Sequence, residues 1–184
     1  RDPRDVCASY KEFMKSDFVS ALTAAKGMID FIKYYKPFDK DYLKFFKYED
    51  IENRAIETII SLSKFIECEI NFDTAKLISE KFNKQNVRNL IKDNDEKLTN
   101  KIKNKEKIEK SEIVYFSKEN YRAFDKQTGF QTNHISNRNS GEWQKAFSEK
   151  EIEIINSDQE LNDFLNEYNY DWIYLNIVYL KIYF

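Results

Sequence analysis

The stretch "RDPRDVCASY" carries the residues best suited to chemistry. Arg1 stands where an extended segment would pass into a helix, and Ser9 follows one turn inside that helix. Such a pair suits a phosphate group. The first turn of a helix offers unbonded N–H groups and a partial positive charge, and a guanidinium adds a forked, permanently charged donor. An arginine and a serine so placed also serve as ordinary surface and helix residues, so the pattern alone leaves both readings open.

Two further segments follow in the same order as the motifs of a known family. "RDPRDVCASYKEF" resembles the 3'-phosphate-binding segment of sulfotransferases that use 3'-phosphoadenosine 5'-phosphosulfate, through Arg1, Asp2, Pro3, Arg4, Asp5, Val6, Ser9 and Phe13. "FFKYED" resembles the strand whose tyrosine faces the nucleotide base, here Tyr48. "GEWQKAFS" resembles the family's Gly-(Asp/Glu)-Trp segment through Gly141, Glu142, Trp143, Phe147 and Ser148. The resemblance implies that Arg1 and Ser9 hold the 3'-phosphate and that Tyr48 lies beside the adenine. Phe82 is a candidate for the adenine's other side, or a core aromatic. The family's Arg-Lys-Gly before the glycine of the last motif is replaced by Ser136, Asn137 and Arg138 in "ISNRNSGEW". Arg138 is then the candidate cation, with Ser136 and Asn137 as hydrogen-bond donors.

What the resemblance implies is transfer of a sulfuryl group from that nucleotide to an acceptor hydroxyl or amine on a small molecule or glycan, with no metal. Such a transfer needs backbone N–H groups and a lysine around the 5'-phosphosulfate, and a base for the acceptor's proton. The glycines are Gly27, Gly129 and Gly141, and none lies in a Lys-Ser-Gly-Thr-Thr-like loop. His134, in "NHISN", is read as a satisfied loop histidine, so no catalytic residue is assigned. The expectation is therefore the C-terminal part of a sulfotransferase domain over residues 1–172, inactive and marginally stable by itself, with an apolar tail at 173–184. The alternative is a non-catalytic relative that binds nucleotide or a partner. A P-loop kinase-like enzyme is a third reading.

Helices must position these residues. "VCASYKEFMK" reads as a helix capped by Asp5, with Val6, Tyr10, Phe13 and Met14 on its apolar side. A second helix follows the Ser16-Asp17 cap, with Phe18, Leu22, Ala25, Ile29 and Ile32 inward, and Pro37 stops it. "DYLKFFKYED" reads as a strand. "IENRAIETIISLSKFI" is amphipathic, with Ile56, Ile59, Ile60, Ser63 and Ile66 inward. "FDTAKLISEKFNKQNVRNLI" reads as one helix capped by Asp73 or Thr74. The polar run from Lys92 to Lys110 reads as a solvated helix or surface excursion rather than a basic phosphate-binding arm, because acids interleave its lysines. Residues 121–140 read as loop. A capping box of Ser148 and Glu151 opens the closing helices. With the family resemblance, the fold class is α/β: a P-loop nucleotide-triphosphate-hydrolase-like three-layer fold with a parallel sheet, here incomplete and mostly helical.

Composition supports one ordinary domain. The chain has 184 residues, 30 Lys and Arg against 32 Asp and Glu, and 41% hydrophobic residues. A balanced charge argues against a nucleic-acid partner. The apolar content exceeds that of disordered chains. One histidine and two cysteines without a Cys-x-x-Cys pair exclude the common zinc arrangements. Cys7 and Cys68 make no disulfide framework, which with the absence of a leader pattern points to the cytoplasm. "WIYLNIVYLKIYF" is too short to span a bilayer as a helix.

Overall fold

A computed structural model of the chain describes residues 1–38, 43–117, 120–133 and 135–170, with the side chains of 115–117, 120 and 121 excepted. The expectations for His134, for residues 41–42 and for the tail at 173–184 lie outside the described residues. The chain divides into two compact units. One comprises residues 1–52 with the described residues from Arg138 onward, and the other comprises residues 53–137.

The first unit is helical. Helix α1 spans Pro3–Met14. Its cap is Asp2, not the expected Asp5: the Asp2 carboxylate accepts the Arg4 N–H at 2.8 Å. Pro3 decides this. Its fixed φ and missing N–H suit the first helical position, so the helix begins one turn earlier than its apolar pattern suggests. The buried face also differs from expectation. Tyr10 and Met14 are exposed, whereas Arg4, Cys7 and Ala8 are buried. The physical reason lies in size: Cys7 and Ala8 let α1 approach α2 (Phe18–Tyr35), which presents Ala21 and Ala25 in return. Helix α2 behaves as its sequence predicts. Asp17 caps it through the Ser20 N–H and hydroxyl, and Ala25 and Ile29 are buried, with Phe18, Leu22 and Ile32 packed against the core.

The expected strand at "DYLKFFKYED" is not one. Residues 43–47 are irregular, and Tyr48–Asn53 form the short helix α3. Glu49 in its first turn is buried, where its Oε1 accepts the Asp2 N–H at 3.1 Å and its Oε2 accepts the Tyr170 hydroxyl at 3.3 Å. A helical first turn lets this carboxylate meet both donors. A strand would also need a pairing partner for its backbone.

A 3₁₀ turn at Trp143–Ala146 leads into α4 (Glu149–Ser157) and α5 (Gln159–Glu167). The Ser148–Glu151 capping box forms as expected. The core gathers Ala8, Ile29, Trp143, Ile155, Leu161, Phe164, Leu165 and Tyr170. Lys26 on α2 pairs at 2.6 Å with Asp158, the cap of α5, and so ties those two helices.

In the second unit, α6 (Ala55–Phe65), α7 (Phe72–Lys81) and α8 (Lys84–Lys103) precede a hairpin of β1 (Ile113–Ser117) and β2 (Asn120–Ala123). Ile56, Ile59 and Ile60 are partly buried and Ser63 is buried, but Ile66 is exposed. The expected single helix from Phe72 is two, capped by Asn71 and Asn83 rather than by Asp73 or Thr74. Each asparagine accepts the N–H three residues on, at 2.9 Å, which opens a new helix at Lys84. The polar run from Lys92 to Lys110, expected as a solvated helix or a surface excursion, is helical as far as Lys103. A hairpin is absent from the sequence expectations: it pairs antiparallel, Ile113 with Ala123 and Val114 with Arg122, and only its second strand enters the 121–140 stretch read as loop. The described residues are thus mostly helical with a two-stranded antiparallel sheet, and they hold no parallel strand pair. Among them no helix is long and apolar enough to cross a membrane.

Candidate functional site

The three motifs converge on the N-terminal half of α1. Asp2 and Pro3 begin the helix, so residues 5, 9 and 12 follow at four- and three-residue steps and share one face. Asp5 is fully buried there. Its Oδ2 accepts the Gly141 N–H at 2.6 Å, which joins the first motif to the last across 136 residues. Trp143, two residues on, is 2% exposed, and the Arg4 guanidinium lies 5.4 Å from its ring centroid. Arg4 is itself held by Asp2 through Nη2 at 2.8 Å. Lys11 completes the seam, with the Ala146 carbonyl at 3.3 Å and Glu151 at 2.9 Å.

Arg138 crosses the same face. Its Nε and Nη2 donate to the two oxygens of Glu12 at 2.7 and 3.0 Å, and its Nη1 lies 4.0 Å from Asp5 Oδ1. A side chain that engages residues 5 and 12 spans the turn that carries Ser9. The Ser9 hydroxyl is buried and makes no hydrogen bond. Tyr48 enters from α3, and the Arg1 guanidinium sits 4.5 Å from its ring centroid, a cation–π contact. Glu49 anchors this arrangement by holding the Asp2 N–H. The Arg1 Nε is buried and likewise makes no hydrogen bond.

The electrostatics follow from burial. Desolvation raises the Asp5 carboxyl above its ordinary value, and the Gly141 N–H, Arg1 and Arg138 partly oppose that rise. Burial also raises the Tyr48 phenol, as does nearby Glu52, while Arg1 opposes. Two arginines thus act on one buried carboxylate, and among the buried polar atoms around α1 the Ser9 hydroxyl and Arg1 Nε make no hydrogen bond. A buried polar atom without a partner is costly, and each of these two atoms is of a type that donates to an oxyanion.

Arg1, Tyr48, Ser9 and Arg138 all lie in the first unit, around α1. Phe82 does not join them. It is the C-cap of α7 in the second unit and is 42% exposed. Ser136 also belongs to the second unit, where its carbonyl accepts Arg88 Nη2 at 2.8 Å. Sequence reasoning overlooked Glu12 and Glu49. Glu12 had a signal, since it lies seven residues after Asp5 on the Ser9 face, but its partner arrives from far along the chain. Glu49 had none, because its burial depends on Asp2 and Tyr170. No family model, curated protein or solved structure matches the chain. The function therefore rests on the residues around α1.

Proposed function

We propose that the chain holds the 3'-phosphate and adenine end of 3'-phosphoadenosine 5'-phosphosulfate, as part of a sulfotransferase with a P-loop-like α/β fold acting on an acceptor hydroxyl or amine. One observation carries this reading. Arg1, Ser9, Tyr48 and Arg138, which the sequence resemblance assigns to one ligand, lie around one helix, and the buried Arg1 Nε and Ser9 Oγ have no hydrogen-bond partner. These atoms are donors of the type that a phosphate monoester accepts.

In this reading Ser9 and Arg1 donate to the 3'-phosphate. Tyr48 orients the Arg1 guanidinium through one ring face and serves as the aromatic beside the base. Asp5 keeps the 138–143 segment against α1 through the Gly141 N–H, so that Arg138 reaches the same turn. The nucleotide, when bound, supplies the sulfuryl group that is transferred. Cytoplasmic location belongs to the same proposal.

Calorimetry with 3'-phosphoadenosine 5'-phosphate and with adenosine 5'-phosphate tests it. The 3'-phosphorylated nucleotide binds more tightly. Arg1→Ala removes about 1.5–3 kcal/mol of that preference, the range for a charge-assisted hydrogen bond, and Ser9→Ala about 1 kcal/mol. Equal losses for both nucleotides would refute the assignment of Arg1. Equal affinity of the unaltered protein for both would refute the site.

A further inference from the structure

Arg138 already has an anion. Its guanidinium fork is filled by Glu12, with bonds of 2.7 and 3.0 Å from Nε and Nη2. A fork–fork pair of this kind uses the same two parallel N–H groups that would grip a phosphate. Ser9 stands on α1 between Asp5 and Glu12, the two carboxylates that Arg138 reaches. We infer that Glu12 is a resident counter-anion that competes with the nucleotide's 3'-phosphate for Arg138, and so sets the affinity of the site. This inference rests on the reading of the site given above.

The two carboxylates next to Arg138 are not equivalent. The Asp5 side chain is 1% exposed and is fixed by the Gly141 N–H. The Glu12 side chain is 45% exposed, whereas that of Arg138 is 10% exposed. A guanidinium so desolvated keeps an anionic partner, because a buried, uncompensated charge is strongly unfavourable. Glu12 can turn to water at little cost and Asp5 cannot. The exchange therefore runs one way: the incoming phosphate takes the fork, Glu12 swings outward, and Asp5 remains as the tether. Placed beside the bound phosphate, a Glu12 carboxylate that stays ionised also repels it. Both effects weaken binding of the 3'-phosphorylated nucleotide and leave a 3'-hydroxyl nucleotide unaffected.

The experiment is a two-by-two set: unaltered protein, Glu12→Gln, Arg138→Ala and the double variant, each titrated with 3'-phosphoadenosine 5'-phosphate and with adenosine 5'-phosphate. Glu12→Gln is expected to tighten binding of the 3'-phosphorylated nucleotide by roughly 1.5- to 5-fold, the range for an exposed charge pair. Adenosine 5'-phosphate binding stays the same, and the gain disappears in the Arg138→Ala background. A purely structural role for Glu12 would instead change both nucleotides together. If the unaltered protein prefers the 3'-phosphorylated nucleotide but Glu12→Gln does not tighten it, or the gain survives loss of Arg138, the competition is overturned and the site stands. If the unaltered protein binds both nucleotides alike, the site itself fails and the competition with it.

Discussion

Asp5 is the point at which the joining of two distant segments can be tested by one substitution. Its carboxylate takes the Gly141 N–H at 2.6 Å and faces Arg138 Nη1 at 4.0 Å, and it is fully buried. Asp5→Ala removes an ionised acceptor and leaves a small void beside the Gly141 N–H. A hydrogen bond to a charged group contributes about 1.5–3 kcal/mol net, so the first unit should lose about 2–3 kcal/mol. Asp5→Asn is informative in a different way. Its amide oxygen can still accept the Gly141 N–H, but its NH₂ cannot serve as the anion facing Arg138. The loss is expected to be smaller than for Asp5→Ala, because the amide also removes a charge that burial disfavours.

The assay is urea unfolding followed by Trp143 fluorescence in a Trp172→Phe background, since Trp143 is buried two residues from the tether. A thermal midpoint should fall by about 2–4 °C per kcal/mol for a chain of this size. The pH dependence carries a sign. Burial raises the Asp5 carboxyl above 3.8, so folding favours its protonated form. That contribution is full below the ordinary value and is lost as pH rises through the raised one. The Asp5→Asn protein lacks this slope, so the unaltered protein's stability relative to it declines with pH across that window. A loss below about 0.5 kcal/mol for Asp5→Ala, the range of a neutral surface substitution, would refute the tether.

The other predictions use separate parts of the molecule. Glu151→Ala should cost about 1–2 kcal/mol at neutral pH, through loss of the Ser148 capping box and the Lys11 pair. Lys11 and the Ser148 N–H hold this carboxyl below 4.5, so the stability it contributes is present above that value and is lost as pH falls through the lowered one; a cost that persists in acid would contradict this. The two cysteines should differ in reactivity, because burial pushes the Cys7 thiol up to about 11 whereas Cys68 is exposed. A chromogenic disulfide reagent should therefore titrate one thiol rapidly in the native protein and the second only in denaturant, and two rapid thiols would show that α1 is not packed as described.

The elements most legible in the sequence are those with local causes. Helix α2 has an acidic cap, an apolar stripe at four- and three-residue steps and a proline beyond its end, all within one stretch. The Ser148–Glu151 capping box is equally local. Other elements depend on a distant partner. The aromatic run before Tyr48 has the composition of a strand, but Asp2 and Tyr170 draw Glu49 into a helical turn. The break at Asn83 is local, an asparagine cap set inside a continuous helix-forming pattern. The hairpin after Ile113 went unseen because its pairing with residues 120–123 leaves no strong pattern in the second strand.

For the candidate site, the family resemblance of three segments implies that Arg1, Ser9, Tyr48 and Arg138 serve one ligand. Sequence alone also placed Ser9 and Glu12 three residues apart on one predicted helix, since helical spacing is a property of the backbone; that Asp5 shares their face follows from the start at Pro3. Only the tertiary structure decided what occupies that face. Gly141 and Arg138 arrive there because Asp5 accepts an N–H from 136 residues away, and Tyr48 meets Arg1 because Glu49 is held by Asp2. It also showed that Arg138 already has Glu12 in its grip. A charge pair depends on separation in space, and separation along the chain does not reveal it.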